Sequence, residues 1–164
     1  MPMEQQWLEL HRACLDTVRS VFAGLPDEKV AAKPLPDGKS VGGEANHVIG
    51  AEVYWLREVN IEPTFREITD GSCGEATLTA EFDKIERQYE AILAEKGLDP
   101  NILFDLGRVC QHALYHFVKM KAIRKAIEPE WEGPGWPAIG SWERAVDFIS
   151  DLLICPGKAK PVEA

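Results

Sequence analysis

The run from Arg108 to Ile127 contains neither proline nor glycine. Within and just before it, Leu103, Leu106, Cys110, Ala113, Phe117 and Met120 recur at three- and four-residue spacing. That spacing lines one face of a long α-helix, and the face has to be buried against other elements. His112 and His116 sit beside the stripe, four residues apart. At about 100° per residue they lie one turn apart on the same side, so two imidazoles could share one ion. An isolated pair of this kind more commonly marks two hydrogen-bonded histidines, and a third ligand from another helix is needed to distinguish a site.

The rest of the chain supplies partners for that helix. Residues 4–23 read as a helix whose apolar face includes Trp7, Leu10, Cys14, Leu15, Val18, Val21 and Phe22, stopped by Gly24 and Pro26. Residues 24–39 form a proline-rich connector with room for one short turn at 27–33 and a turn at Asp37-Gly38. Ser40 can cap a helix over about 41–60, with Val41, Ala45, Val48, Ala51 or Glu52, Trp55 and Val59 as its stripe, although Gly42-Gly43 weakens its first turn. Residues 61–77 are a second connector. Thr77 is the expected cap of a helix reaching Lys96-Gly97, with Glu81 near its positive end. Asp99-Pro100-Asn101 opens the long helix. The link before it is short, so these two helices are expected to be antiparallel neighbours.

Residues 128–140 read as an ordered loop holding Trp131 and Trp136, followed by a short helix from Ser141 to about Leu153, ended by Pro156. The expected fold is all-α: a four-helix bundle with a short additional C-terminal helix, one domain over 1–155, and a frayed tail over 156–164.

Charge and composition exclude several partners. The formal net charge is -9 and no basic run appears, which disfavours nucleic acid and anionic membrane. The cluster Lys119, Lys121, Arg124 and Lys125 reads as a solvated face at a helix C-terminal end. No stretch has the length of a signal-peptide core or a membrane span. Cys14, Cys73, Cys110 and Cys155 are dispersed, with no CxxC pair, so reduced thiols and a cytoplasmic location are expected.

Two further histidines are available. His11 is expected in a structural or exposed role. His47 lies on the flank of its helix stripe with Ala51 and Tyr54 along the same edge, which leaves room for an ion and a ligand. The pointed reading is therefore a metal site of His47, His112 and His116. Three neutral nitrogen donors suit Zn²⁺, Ni²⁺ or Fe²⁺ and leave a coordination position open. Glu44-Ala-Asn-His47 is also a Glu-x-x-His motif of the di-iron carboxylate type, but Val109 and Ala113 stand where the second helix would need glutamates. Asp105 is a candidate to orient a ligand ring, and Glu52 or Tyr54 to act as acid, base or substrate contact. For each of these three a capped or solvated polar group is the plainer account.

Ser40-Val41-Gly42, the segment from His47 through Glu52, Tyr54, Trp55 and Leu56, and Gln111-His112-Ala113-Leu114-Tyr115-His116 occur in an order that resembles the DinB/YfiT-like family. The likeness spans roughly residues 4–127. Many relatives carry an Arg-Gly-Gln-like segment after the last histidine. Here Phe117-Val118-Lys119 stands instead, so contacts made by that segment do not carry over. The resemblance implies a four-helix bundle, often dimeric, with His47, His112 and His116 binding a divalent metal. It also implies a metal-dependent enzyme, either a transferase that uses a low-molecular-weight thiol or a hydrolase. A non-catalytic metal- or ligand-binding bundle, acting as a sensor or interaction module, is the other expectation. A homodimer is expected from the wide apolar faces, and ligand access is expected past Trp131 and Trp136.

Overall fold

The computed structural model describes residues 2–35, 38–69 and 73–133. Five helices fall within them: α1 (Met3–Phe22), α2 (Asp27–Val30), α3 (Val41–Glu58), α4 (Glu75–Lys96) and α5 (Pro100–Ile127). No strand occurs among the described residues, and none of their helices is long and apolar enough to cross a membrane. The expected helix at 141–153 with its Ser141 cap, Trp136, Asp37 and the tail at 156–164 lie outside the described residues.

Local chemistry sets the helix starts. Ser40 caps α3, its hydroxyl accepting the Gly43 N–H at 3.0 Å. Asp99 caps α5 by accepting the N–H groups of Asn101 and Ile102, with Pro100 in the first turn. The expected Thr77 cap is wrong. α4 begins at Glu75, after Gly74, and Asp27 of the short α2 accepts the Glu75 N–H at 3.3 Å. The acceptor comes from another element, which no reading of residues 72–78 alone would find. Glu81 is likewise not serving the helix end: its carboxylate accepts the Arg66 N–H and pairs with Lys84.

Around the core, α5 packs chiefly against α1 and α3, and α4 chiefly against α3 and α1. The short link at 97–99, with Gly97 at φ 66°, therefore carries the chain across the core, not to an adjacent position. The broad apolar face of α5, with Leu106, Cys110, Ala113, Phe117 and Met120 buried, is covered by α1 and α3 instead. α1 contributes Trp7, Leu15, Val18 and Phe22 to the same core. Each such large side chain contributes about 1.5–3 kcal/mol on full burial. Gly42 is buried where α2 meets α3. A Cβ there would stand 2.7 Å from Val30 and 2.9 Å from the Cys73 carbonyl oxygen, so only glycine permits the approach.

One polar group from each of the four long helices meets in this core. His11 Nε2 of α1 lies 3.0 Å from Glu52 Oε1 of α3. The Tyr89 hydroxyl of α4 donates to Asp105 Oδ2 of α5 at 2.6 Å, and the His11 and Tyr89 ring centroids are 4.4 Å apart. All four side chains are fully buried. Cys14 and Cys110, both buried free thiols, hydrogen-bond beside them. Burial pushes the Asp105 carboxyl up to about 7; the Tyr89 hydrogen bond pulls it back and the Glu52 charge adds to the rise. The expected solvated basic face is also corrected at one residue. Arg124 is buried, and its guanidinium donates to the Val21 and Ala23 carbonyls at 2.7 and 3.1 Å, closing the C-terminal end of α1.

Candidate metal centre

His47 sits in the second turn of α3, and His112 and His116 lie one turn apart in the middle of α5. Because α3 and α5 pack directly, the three rings converge. Their centroids are 5.1 Å apart for His47–His112, 4.7 Å for His47–His116 and 4.3 Å for His112–His116. One nitrogen from each ring lies within 4.8 Å of the other two. In a tetrahedral site with nitrogen–metal bonds of about 2.0–2.1 Å the nitrogens stand about 3.4 Å apart. Small ring rotations bridge that difference, so three histidines here could hold a metal ion.

The surroundings fit a ligand set. His116 is buried, and its Nδ1 bonds to Glu44 Oε2, which leaves Nε2 free to ligate. A carboxylate on the second ring nitrogen fixes the tautomer and orientation of a metal-binding histidine. Lys119 pairs with the other Glu44 oxygen at 3.0 Å. Burial pushes the Glu44 carboxyl up, but hydrogen bonds from Lys119 and His116 outweigh it and hold its pKa below the ordinary value. His112 Nδ1 is buried with no hydrogen-bond partner. An unpartnered buried nitrogen is costly, and coordination by the ring gives it a role.

Electrostatics keep the rings neutral, the state a metal requires. Burial lowers the pKa of His112 to about 4, helped by the neighbouring His116 and His47. Burial also lowers His47, reinforced by Lys39 and opposed by Glu44 and Glu67. It lowers His116 against the pull of Glu44.

A pocket of about 360 Å³ opens beside the cluster. It is lined by His47 and His112, by Gly50, Ala51, Tyr54 and Trp55 of α3, and by Glu67 from the connector that follows.

Several sequence candidates fall elsewhere. His11 belongs to the core quartet, in the structural role expected of it. Asp105 bonds Tyr89 and not a ligand histidine; the carboxylate that orients one is Glu44, whose place three residues before His47 was visible only as half of a di-iron motif. Glu52 faces His11 in the core, away from any ligand, because position 52 lies inward on α3. Tyr54 does line the pocket. Trp131 packs under the Arg124 guanidinium, 4.4 Å from its ring centroid, toward the far end of α5; among the described residues the tryptophan lining the pocket is Trp55, and Trp136 lies outside them. Glu67 was missed altogether, since a lone glutamate in a connector carries no spacing signal.

No family model matches the chain, and comparison with curated proteins and with solved structures returns no match.

Proposed function

We propose that the chain is a metal-dependent enzyme built on a DinB/YfiT-like four-helix bundle, with His47, His112 and His116 as ligands of one Zn²⁺, Ni²⁺ or Fe²⁺ ion. The observation that carries this reading is the convergence of three neutral imidazoles, one oriented by a buried carboxylate, beside an open pocket. The bound ion would act as a Lewis acid, lowering the pKa of a thiol or water ligand.

The residues around it have separable tasks. Glu44 holds the His116 ring in place, and Lys119 steadies Glu44 in turn. Gly50 and Ala51 leave the pocket floor clear for a substrate, and Tyr54 and Trp55 give it an apolar wall. The reaction class is transfer of a low-molecular-weight thiol to an electrophilic carbon, or otherwise hydrolysis. In the first case the thiol proton leaves to solvent or a nearby base and the sulfur–carbon bond forms as the leaving group departs. The protein is proposed to act as a cytoplasmic homodimer.

The test is a screen of electrophiles with protein reconstituted with each of the three metals, with and without added thiol, against His116→Ala. Faster product formation by the wild-type protein is expected in the thiol arm. Faster product without thiol assigns hydrolysis. Identical rates in every arm would remove the enzyme reading and leave a non-catalytic metal- or ligand-binding bundle.

A further inference from the structure

Residues 59–69 lead away from the end of α3, and nothing in their composition demands a fixed path. Three anchors fix it. Phe65 is buried in the core. The Arg66 N–H donates to Glu81 Oε2 at 3.1 Å. Asn46 brackets Ile68, its amide nitrogen donating to the Ile68 carbonyl at 3.0 Å and its oxygen accepting the Ile68 N–H at 2.8 Å. Two polar side chains from α3 and α4 thus hold the backbone on either side of Glu67.

Glu67 itself is exposed and has no hydrogen-bond or ion-pair partner among the described residues. Its carboxylate lies flat against Gly50: a Cβ built on that glycine would stand 3.2 Å from the carboxyl carbon and 3.3 and 3.4 Å from the two oxygens. An ordinary surface glutamate reaches into water. This one is folded back over the helix that carries His47 and forms a wall of the pocket. In the same pocket, Tyr54 stands edge-on to Trp55 with ring centroids 5.1 Å apart. The Arg108 guanidinium already rests 5.5 Å from the Trp55 ring centroid, so this ring accepts a cation on one face.

We infer that the pocket selects a ligand with two unlike ends: a head that ligates the metal and a cationic ammonium tail held between Glu67 and the Tyr54–Trp55 wall. This rests on the metal site proposed above. Apart from the histidines, Glu67 is the single charged group among the pocket's described lining residues. Lys119 is engaged by Glu44, Arg108 is stacked on Trp55 and Phe104, and Lys39, whose charge acts on His47 and His112, is not among the lining residues. A thiolate head brings its own negative charge to the ion, so the charge preferred at the tail is set by the wall that the tail meets. A carboxylate and aromatic rings lining one pocket are the combination that recognises alkylated ammonium groups.

The test is a binding titration on the full chain loaded with Co²⁺, read from the visible absorption of the metal. Three thiols of similar length are compared: thiocholine, 2-mercaptoethanol and 3-mercaptopropionate. Thiocholine cannot chelate through its nitrogen, and affinities are compared per thiolate, allowing for the lower pKa that the ammonium gives its thiol, so a preference for it reports the tail alone. Thiocholine is expected to bind about tenfold more tightly than 2-mercaptoethanol, and 3-mercaptopropionate more weakly than either. Glu67→Gln should erase that order and Glu67→Lys should reverse it, each affinity being taken as its ratio to 2-mercaptoethanol in the same variant, since the charge at position 67 also acts on His47. An unchanged order in Glu67→Gln, or none in the wild-type protein, overturns the inference and leaves the thiol reading intact. If no thiol perturbs the spectrum, the thiol reading fails, and trimethylated histamine, whose quaternary nitrogen cannot chelate, against 4-methylimidazole makes the same comparison through a nitrogen head. A preference for the quaternary ammonium compound that depends on Glu67 then sustains the inference; equal affinities, or no ligation by either, overturn it.

Discussion

Replacing Asp105 by asparagine should change how stability depends on pH, and the size of the change follows from the buried quartet. The Asp105 carboxyl titrates at about 7 in the fold against an ordinary value of 3.8, because burial penalises the charge and Glu52 repels it. A raised carboxyl favours the folded state most below its unfolded pKa, and that contribution is lost as pH rises toward the folded pKa. The whole interval corresponds to about 4 kcal/mol at about 1.4 kcal/mol per pH unit, and the part between pH 5 and pH 8 to about 2.5 kcal/mol. Asparagine keeps an oxygen to accept the Tyr89 hydroxyl and has no charge to bury. The stability of Asp105→Asn relative to the wild-type protein should therefore rise by about 2.5 kcal/mol from pH 5 to pH 8. Urea unfolding with a chelator present, at several pH values for both proteins, measures it. The lowered histidines give the opposite slope below their ordinary pKa, but they do so in both proteins and cancel in the difference. A difference that does not vary with pH would show that Asp105 is ionised in the core, and the argument from burial would fail.

Alanine at His47, His112 or His116 should each sharply lower the metal content of protein purified without an affinity tag. His11→Ala should leave the metal in place while destabilising the fold; elemental analysis that finds metal lost equally in His11→Ala would refute the assignment. Glu44→Ala should weaken metal binding about 10–100-fold without removing a ligand, read by competition with a coloured chelator. α5 turns Phe104, Tyr115 and Val118 outward along one stripe, with Tyr115 63% exposed. A two-fold dimer burying more than about 1,000 Å² over that stripe is expected. Light scattering at micromolar concentration should give twice the chain mass, and half of that value for Tyr115→Arg.

The long helices and the His112–His116 pair were legible because they depend on local pattern: apolar spacing, the caps at Ser40 and Asp99, and a four-residue interval; His47 entered through the small residues on its helix flank and the order of the motifs. What was illegible depends on residues meeting from distant parts of the chain. Asp27 caps α4 from the first connector, Arg124 closes α1 from the end of α5, and Asn46 pins Ile68. Asp105 and Glu52 looked like candidates for the site because their spacing along the helix is compatible with it. Their partners, Tyr89 and His11, come from helices whose rotation no periodicity specifies closely enough. The order of helices around the core failed for a related reason. A short link suggests adjacency, and only the breadth of the α5 apolar face decides that α1 and α3 cover it.

The quartet of His11, Glu52, Tyr89 and Asp105 also bears on how sequences of this fold can vary. Each side chain is fully buried, and each comes from a different long helix. Exchanging one alone for an apolar residue leaves a buried charge or hydroxyl without its partner, a change that costs several kcal/mol, whereas exchanging a bonded pair together is close to neutral. Among descendants of this chain the four positions should therefore change in pairs, His11 with Glu52 and Tyr89 with Asp105. His116 of α5 and Glu44 of α3, a bonded and buried pair beside the other two histidines, fall under the same constraint.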